Sequence, residues 1–335
     1  MRIIASAPGK IVVTGEYAVL VGAPALVAAL DRRARCTMED TDAGGWTFTT
    51  HGFAPDALIS RDALLRGPLL PRTDPAHLCQ HALRQIDSVS VAVDSLPQNL
   101  RIDIDSRSGF DGARKLGIGT SAAVCAALCG ALLARCGSRL ATFPVALAAH
   151  RSAQGGSGSG IDVAASCAGG LVRYETNATP RLERAAFPGG IAHAVIWTGN
   201  SADTREHLNR FDVWRNGAIP RELAALTDAS HRVADAVGDA SEFMRQLRAY
   251  SAALGALDDA ARLGIYSNAH RRLSDLGNDT GVVYKPCGAG GGDLGMAFTN
   301  EARAIESFER AAHTAGYKRL PVELDEHGIT VSVEG

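Results

Sequence analysis

The chain opens with apolar and small residues in alternation through Ile3, Ile4 and Ala5, pauses at Ala7-Pro-Gly-Lys10, and resumes as the β-branched run Ile11-Val-Val-Thr14. That pattern predicts two short strands with a break between them. Residues 35–51 read as a hairpin, with Arg35-Cys-Thr-Met-Glu39, a turn at Asp42-Ala-Gly-Gly45, then Trp46-Thr-Phe-Thr-Thr50. Strands are also predicted over Val89–Val93 and Leu100–Ile104. The apolar spacing lengthens to three and four over 76–86, 121–135 and 141–152, which predicts helices. Ile161-Asp-Val-Ala-Ala-Ser-Cys167 follows a glycine-rich loop at 155–160 and reads as a helix stopped by Gly169-Gly170.

After about residue 185 the texture changes. Ala192–Thr198 reads as a strand, and 221–263 carries long helical patterns of Leu and Ala. Residues 281–298 place a glycine-rich turn between two strand-like flanks. Asn300 is placed to cap a helix over 301–314, and a closing hairpin is predicted to turn at Asp325-Glu-His-Gly328. Hairpins mixed with helices predict an α+β fold, not a doubly wound parallel sheet. A chain of 335 residues is long enough for two lobes, here expected at 1–185 and 186–335.

Composition narrows the function little. Hydrophobic residues at 46% and charged residues at 21% are ordinary for a globular protein, and a net charge of −2 argues against nucleic acid or an anionic membrane as partner. The apolar run from Ile11 to Leu30 holds Gly15, Glu16, Gly22 and Pro24, so it reads neither as a membrane span nor as a signal peptide. Seven cysteines without a Cys-x-x-Cys pair read as free thiols in a reducing, cytoplasmic setting; Cys125 and Cys129 are expected to be buried. Only four of the 34 basic residues are lysine, at 10, 115, 285 and 318, and three of these lie in glycine-rich motifs.

The chemistry concentrates in four segments: Pro8-Gly-Lys10 through Gly15-Glu-Tyr17; Lys115-Leu-Gly-Ile-Gly-Thr-Ser-Ala-Ala123; Gly158-Ser-Gly-Ile-Asp162; and Lys285-Pro-Cys-Gly-Ala-Gly-Gly-Gly-Asp293. In the second, Gly117 and Gly119 permit a tight turn, Thr120 and Ser121 offer hydroxyls for capping or a metal, and a helix N-terminus follows. Those are the ingredients of a polyphosphate site. Phosphoryl transfer needs backbone donors, Mg²⁺, a cation for transition-state charge and a carboxylate at the acceptor, and the four segments supply residue types for each protein-borne role. No Walker P-loop and no dinucleotide fingerprint is present. Taken singly the residues are ambiguous. Asp162 could be a helix N-cap, Lys10 a solvated loop lysine, His150 a satisfied helix histidine and Trp197 a core residue; Glu16 is either a buried charge partner or part of the site.

In this order the motifs resemble those of the GHMP kinase superfamily: Ala7-Pro-Gly-Lys10 with Gly15-Glu-Tyr-Ala-Val19, the loop 117–123, and Cys287-Gly-Ala-Gly-Gly-Gly292. The resemblance spans almost the whole chain. Gly15-Glu-Tyr17, Lys115, His150-Arg-Ser-Ala-Gln154 with Gly158-Ser-Gly-Ile-Asp-Val-Ala-Ala165, and Trp197-Thr-Gly199 with Thr204 are most similar to its phosphomevalonate kinase branch. The resemblance implies a two-lobed fold with a cleft, a phosphorylated small-molecule substrate, and ATP and Mg²⁺ as cofactors, in a monomer or homodimer. It implies Lys10 and Asp162 as catalytic residues. Lys115, Gly117, Gly119, Thr120, Ser121 and Ala122 would bind ATP, with Ser121 on the metal, and Tyr17, Ser159, Gly288, Gly290 and Gly291 would lie toward the acceptor. Three departures stand out. Thr120 and Cys287 replace serines, and Arg151 occupies the place where mevalonate kinases carry a metal-binding Glu. An alcohol acceptor (mevalonate or a sugar), with Asp162 as general base, and a non-catalytic metabolite sensor are the alternative readings.

Overall fold

The computed structural model describes residues 1–51, 53–89, 93–156, 158–200 and 204–335. The chain begins with β1 (Arg2–Thr14) and β2 (Ala25–Asp40), antiparallel partners joined by a 3-10 turn at Ala18–Val21. There follow β3 (Trp46–Thr49), β4 (Ala57–Ile59), α1 (Arg61–Arg66), α2 (His77–Ser88) and β5 (Leu100–Asp105). A small hairpin, β6 (Phe110–Asp111) and β7 (Arg114–Lys115), leads to α3 (Thr120–Arg135), α4 (Thr142–Ala153), α5 (Ile161–Ala168), β8 (Leu171–Glu175) and β9 (Arg181–Ala185). The second half runs β10 (Ala192–Trp197), α6 (Thr204–Arg215), α7 (Arg221–Asp235), α8 (Ala240–Ala261) and α9 (Asn268–Thr280). It closes with β11 (Val283–Pro286), β12 (Leu294–Thr299), α10 (Ala302–Thr314), β13 (Lys318–Arg319) and β14 (Thr330–Glu334).

Two sheets organise these elements into the expected mixed α+β fold. One has the order β14-β1-β2-β5-β3-β4, with β8 also on β2 and β9 on β8; the other is β11-β12-β10-β13. The apolar run 11–30 is thus the turn and inner halves of β1 and β2, and among the described residues no helix is long and apolar enough to cross a membrane. Helix α3 is buried on nearly every side, as befits a helix without a polar face. With α2 and α4 it covers Ile3, Met38, Trp46, Phe48, Leu100 and Ile102 on one face of the first sheet. A second core joins Ile11, Val13 and Leu26 to α7, α8 and the second sheet. Cys125 and Cys129 are buried and free, as expected.

Tertiary pairing overrides several local expectations. Residues 7–10 do not break the first strand; the register slips between Pro8 and Gly9, a bulge that absorbs a proline without losing the ladder. Residues 35–51 are not a hairpin, because β5 lies between β2 and β3, antiparallel to one and parallel to the other. Its inward row, Leu100, Ile102 and Ile104, is apolar enough to take that central place. Of the strand expected at Val89–Val93, residues 90–92 lie outside the described residues, while Val89 follows α2 and Val93 enters a 3-10 turn. Asn300 does not cap α10: Glu301 stands at the cap position without a side-chain bond, and Thr299 Oγ1 accepts from Glu301 N at 3.1 Å. The turn at 325–328 closes no hairpin either. Gly328 crosses so close to Gly169 that a Cβ on Gly169 would fall 2.2 Å from Gly328 N, and β14 then pairs with β1 at the far edge of the first sheet.

Candidate active site

A cavity of about 1,020 Å³ is lined from both sheets, by Lys10, Ser121 and Asp162 among others on one side and Gly288, Ala289 and Leu208 on the other. At its foot Lys10 Nζ lies 3.3 Å from Asp162 Oδ1. Lys10 is held by the bulge that ends at Gly9 and by its own N–H, which donates to Ile118 O at 2.8 Å. Asp162 sits in the first turn of α5, but the N-cap there is Gly160, so the carboxylate faces Lys10 instead of capping its helix.

The loop at residues 115–123 turns as its glycines predict. Gly117 and Gly119 take φ of 76° and 72°, and Gly119 is the N-cap of α3. A Cβ on Gly119 would lie 2.9 Å from Lys10 Cγ, and one on Gly117 would lie 2.7 Å from the Asp293 carboxyl carbon, so only glycine lets the loop lie this close. Neither hydroxyl caps α3. Thr120 is buried and its Oγ1 has no hydrogen-bond partner, while Ser121 is exposed and its Oγ lies 3.1 Å from His150 Nε2. A Cβ on Gly109 would reach 2.2 Å from Thr120 Oγ1, so Gly109 is what makes room for Thr120. Lys115 lines the cavity from β7, whereas Ala122 is fully buried and lies behind the loop.

Across the cavity, Tyr17 adopts a φ of 59°, unusual for a residue with a Cβ. Its hydroxyl donates to Ala289 O at 2.6 Å and its ring packs 4.9 Å from that of Phe211 on α6. Burial first, then the charges of Asp258 and Glu16, push its phenol well above the ordinary range. Ser159 lines the cavity with its carbonyl held by Tyr174 Oη and Arg151 Nη2. Of the third glycine loop, Gly288 reaches the cavity, but Gly290 and Gly291 pack against Ile265 and His207. Glu16 is a buried charge partner: Oε1 lies 2.6 Å from Lys285 Nζ, and Oε2 accepts from Tyr250 Oη at 2.6 Å. Burial works against the Lys285 ammonium, yet the charge and hydrogen bond of Glu16 hold its pKa up. Cys287 itself is pushed up to about 11, mainly by burial, which leaves it a neutral thiol. Trp197 is nearly buried, with the Arg114 guanidinium over its ring.

Comparison with known proteins identifies the family. The family description "GHMP kinases N terminal domain" matches residues 76–170. The phosphomevalonate kinase of Streptomyces sp. (strain CL190) is 31% identical over 98% of this chain and 98% of its own. The chain belongs to the GHMP kinase family. A mevalonate kinase of Pyrococcus furiosus is 27% identical over 99% of this chain and 98% of its own. The fold also matches a solved structure of Streptococcus pneumoniae phosphomevalonate kinase in complex with phosphomevalonate and AMPPNP, with a TM-score of 0.79 and 20% identity over 96% and 99% of the two chains.

As a GHMP kinase the chain is a phosphotransferase. Its site also contains residues to which the sequence reading gave no role in the site. His150, Arg151 and Gln154 form the last turn of α4; Arg151 donates to Gly158 O and Ser159 O and so braces the loop before Asp162. The His150-to-Gln154 spacing of four was the available signal, since it puts both on one helix face. Burial, helped by the charge of Lys115 and opposed by Asp162, holds the His150 pKa below its usual value.

Proposed function

We propose that this kinase transfers the γ-phosphoryl group of ATP to the phosphate of mevalonate 5-phosphate, giving the 5-diphosphate. The observation that carries the reading is the Lys10–Asp162 pair, 3.3 Å apart at the foot of the loop that starts α3. The full-length likeness to a phosphomevalonate kinase supports the choice of acceptor. A phosphate acceptor has a second pKa of about 6, so at neutral pH it is largely a dianion and needs no strong base. The harder task is to bring two anions together. Lys10 offsets their charge, the N–H groups at the start of α3 hold the polyphosphate, and Asp162 orients Lys10 and the acceptor. Lys115, Gly117, Gly119, Thr120 and Ser121 face the nucleotide; Tyr17, Ser159 and Gly288 face the acceptor. Residues 1–185 carry the ATP loop and the catalytic pair, and residues 186–335 form the opposite wall together with Tyr17. The seven unpaired cysteines fit a reducing, cytoplasmic setting.

Mg²⁺ fits this site as a nucleotide-borne ion. Among the described residues no cluster of three or more His, Cys, Asp or Glu side chains could cage a metal, while Ser121 offers an exposed hydroxyl and Asp162 a part-exposed carboxylate. Such sparse hard-oxygen ligation suits an ion held mostly by phosphates. When bound, it neutralises polyphosphate charge.

The test is ADP release with mevalonate and mevalonate 5-phosphate side by side. Turnover of the phosphorylated acceptor is expected, and turnover of mevalonate alone would overturn the reading. Asp162→Asn sharpens it. With an anionic nucleophile kcat falls by roughly 10-fold, whereas loss of a general base for an alcohol would cost up to about 10⁴-fold.

A further inference from the structure

Asp258 is a buried carboxylate that does not line the cavity. It lies in the last turn of α8, where burying such a group costs free energy unless hydrogen bonds replace its water. Three backbone donors of the following loop do so. Oδ1 accepts from Gly264 N at 2.7 Å and from Ile265 N at 2.9 Å, and Oδ2 accepts from Tyr266 N at 2.8 Å. The segment thus fixed carries the third glycine loop. Ile265 O accepts from Gly291 N at 2.9 Å, and a Cβ on Gly290 would fall 2.4 Å from Ile265 Cγ2. On the other side, a Cβ on Gly291 would lie 2.7 Å from His207 Cε1 on α6. Gly290 and Gly291 are points of close approach, where glycine lets backbone rest on a neighbour. From that seat Gly288 and Ala289 line the cavity, and Ala289 O accepts from Tyr17 Oη at 2.6 Å.

We propose that Asp258 is a positioning residue for the acceptor: by holding residues 264–266 it sets the place of Gly288, Ala289 and Tyr17 in the cavity wall. The inference rests on the reading above that Tyr17 and Gly288 face the acceptor. The nucleotide side is spared. Asp293, which ends the glycine loop beside Gly117, is held separately, its N–H by Asn200 O at 2.6 Å and its carbonyl by Thr198 N at 2.9 Å.

The test is steady-state kinetics on Asp258→Asn with ATP and the acceptor each varied, the acceptor being mevalonate 5-phosphate or, where the wild type turns over only that, mevalonate. Asparagine keeps one oxygen for Gly264 and Ile265 but sets its NH2 group against the Tyr266 N–H, so the loop shifts without losing every bond. A 1 Å misplacement costs about 100-fold, so KM for the acceptor should rise by roughly 10–100-fold while KM for ATP stays within about twofold. Tyr17→Phe should raise the same KM. The double variant should lose less than the product of the two, because both act through Ala289. Equal rises in both KM values, an unchanged acceptor KM, or fully multiplicative losses would overturn the proposal.

Hydrogen exchange on the whole protein reads the same link without turnover. In Asp258→Asn the amides of 264–266 and 287–291 should open roughly tenfold more readily, with α3 unchanged. Faster exchange at 264–266 alone would also overturn the proposal. If Asp258→Asn does not fold, Ile265→Ala withdraws the side chain seated on Gly290 and leaves the carboxylate bonds in place; it should show the same KM split, and a variant without that split overturns the link. Turnover of mevalonate alone would sink the acceptor named above, while the positioning role still stands or falls on the KM split. With a wild type that phosphorylates neither, the exchange result decides.

Discussion

Two lysines, both from glycine-rich motifs and both paired with a carboxylate, have opposite fates. Lys10 and Asp162 meet at 3.3 Å with 10% and 35% of their side chains exposed, at the foot of the cavity. Lys285 and Glu16 meet at 2.6 Å with 0% and 1% exposed, and Tyr250 supplies a further hydrogen bond. The first pair opens on the cavity, within reach of a ligand. The second is buried, with Glu16 at the cavity wall, and it ties the turn after β1 to β11 and α8. A lysine beside glycines is therefore not a site until its depth is known. Burial separates an ion pair placed at a cavity from one placed in the core.

Replacing Lys10 should separate the two roles most sharply. Lys10→Met should lower kcat by roughly a thousandfold, the lower end for a cation that stabilises transferring phosphoryl charge, while a urea midpoint shows stability within about 1 kcal/mol. Steady-state kinetics on the purified variant would check it, and a loss below tenfold would remove Lys10 from the chemistry.

Breaking the buried pair should act on stability first. Glu16→Ala strands a buried ammonium and the Tyr250 hydroxyl, at a cost of about 3–5 kcal/mol in chemical denaturation. The double replacement Glu16→Met with Lys285→Met should cost much less, because no buried charge is left unpaired. Additive losses in that cycle would argue against a structural pair.

The buried side of the comparison has a pH signature as well. His270 Nε2 donates to Gly292 O at 3.0 Å and Nδ1 accepts from Tyr284 Oη at 2.8 Å, so both bonds use the neutral ring. Burial pushes its pKa down to about 4, with the Gly292 carbonyl opposing. The unfolded chain takes a proton near pH 6.5 that the native state refuses. Stability is therefore whole above about pH 6.5 and declines as pH falls to about 4, by an amount on the order of 3 kcal/mol. Denaturation midpoints at pH 7 and pH 4.5 should diverge more for the wild type than for His270→Gln.

The smallest effect belongs to the loop itself. Thr120→Ser keeps the hydroxyl and removes only a methyl beside Gly109, so kcat and KM for ATP should stay within about twofold. A larger change would mean that the methyl holds the loop in place.

Much of the cavity lining was legible in sequence because it comes from short local motifs. Gly117, Gly119 and the start of α3 share one turn of chain, and Lys10 follows directly on Pro8-Gly9. His150 was harder to see. A histidine on an apolar helix face is ordinary, and only the approach of α3 gives it Ser121 as a partner 29 residues away. Gly290 and Gly291 stand apart from Gly288, which lines the cavity. Their motif resembles a ligand loop, yet the space a side chain would need there is filled by Ile265 and His207.

The sequence by itself determined the helices with strong three-to-four periodicity, the tight turn at Gly117 and Gly119, the order of the motifs and thereby the family. Those features depend on residues within a turn or two of one another. Tertiary structure alone decided that β5 divides β2 from β3, that β14 returns to β1, and that Lys285 belongs to Glu16 across 269 residues while Lys10 belongs to the cavity. Burial and pairing at that separation depend on which surfaces meet in the folded chain, and no local pattern carries that information.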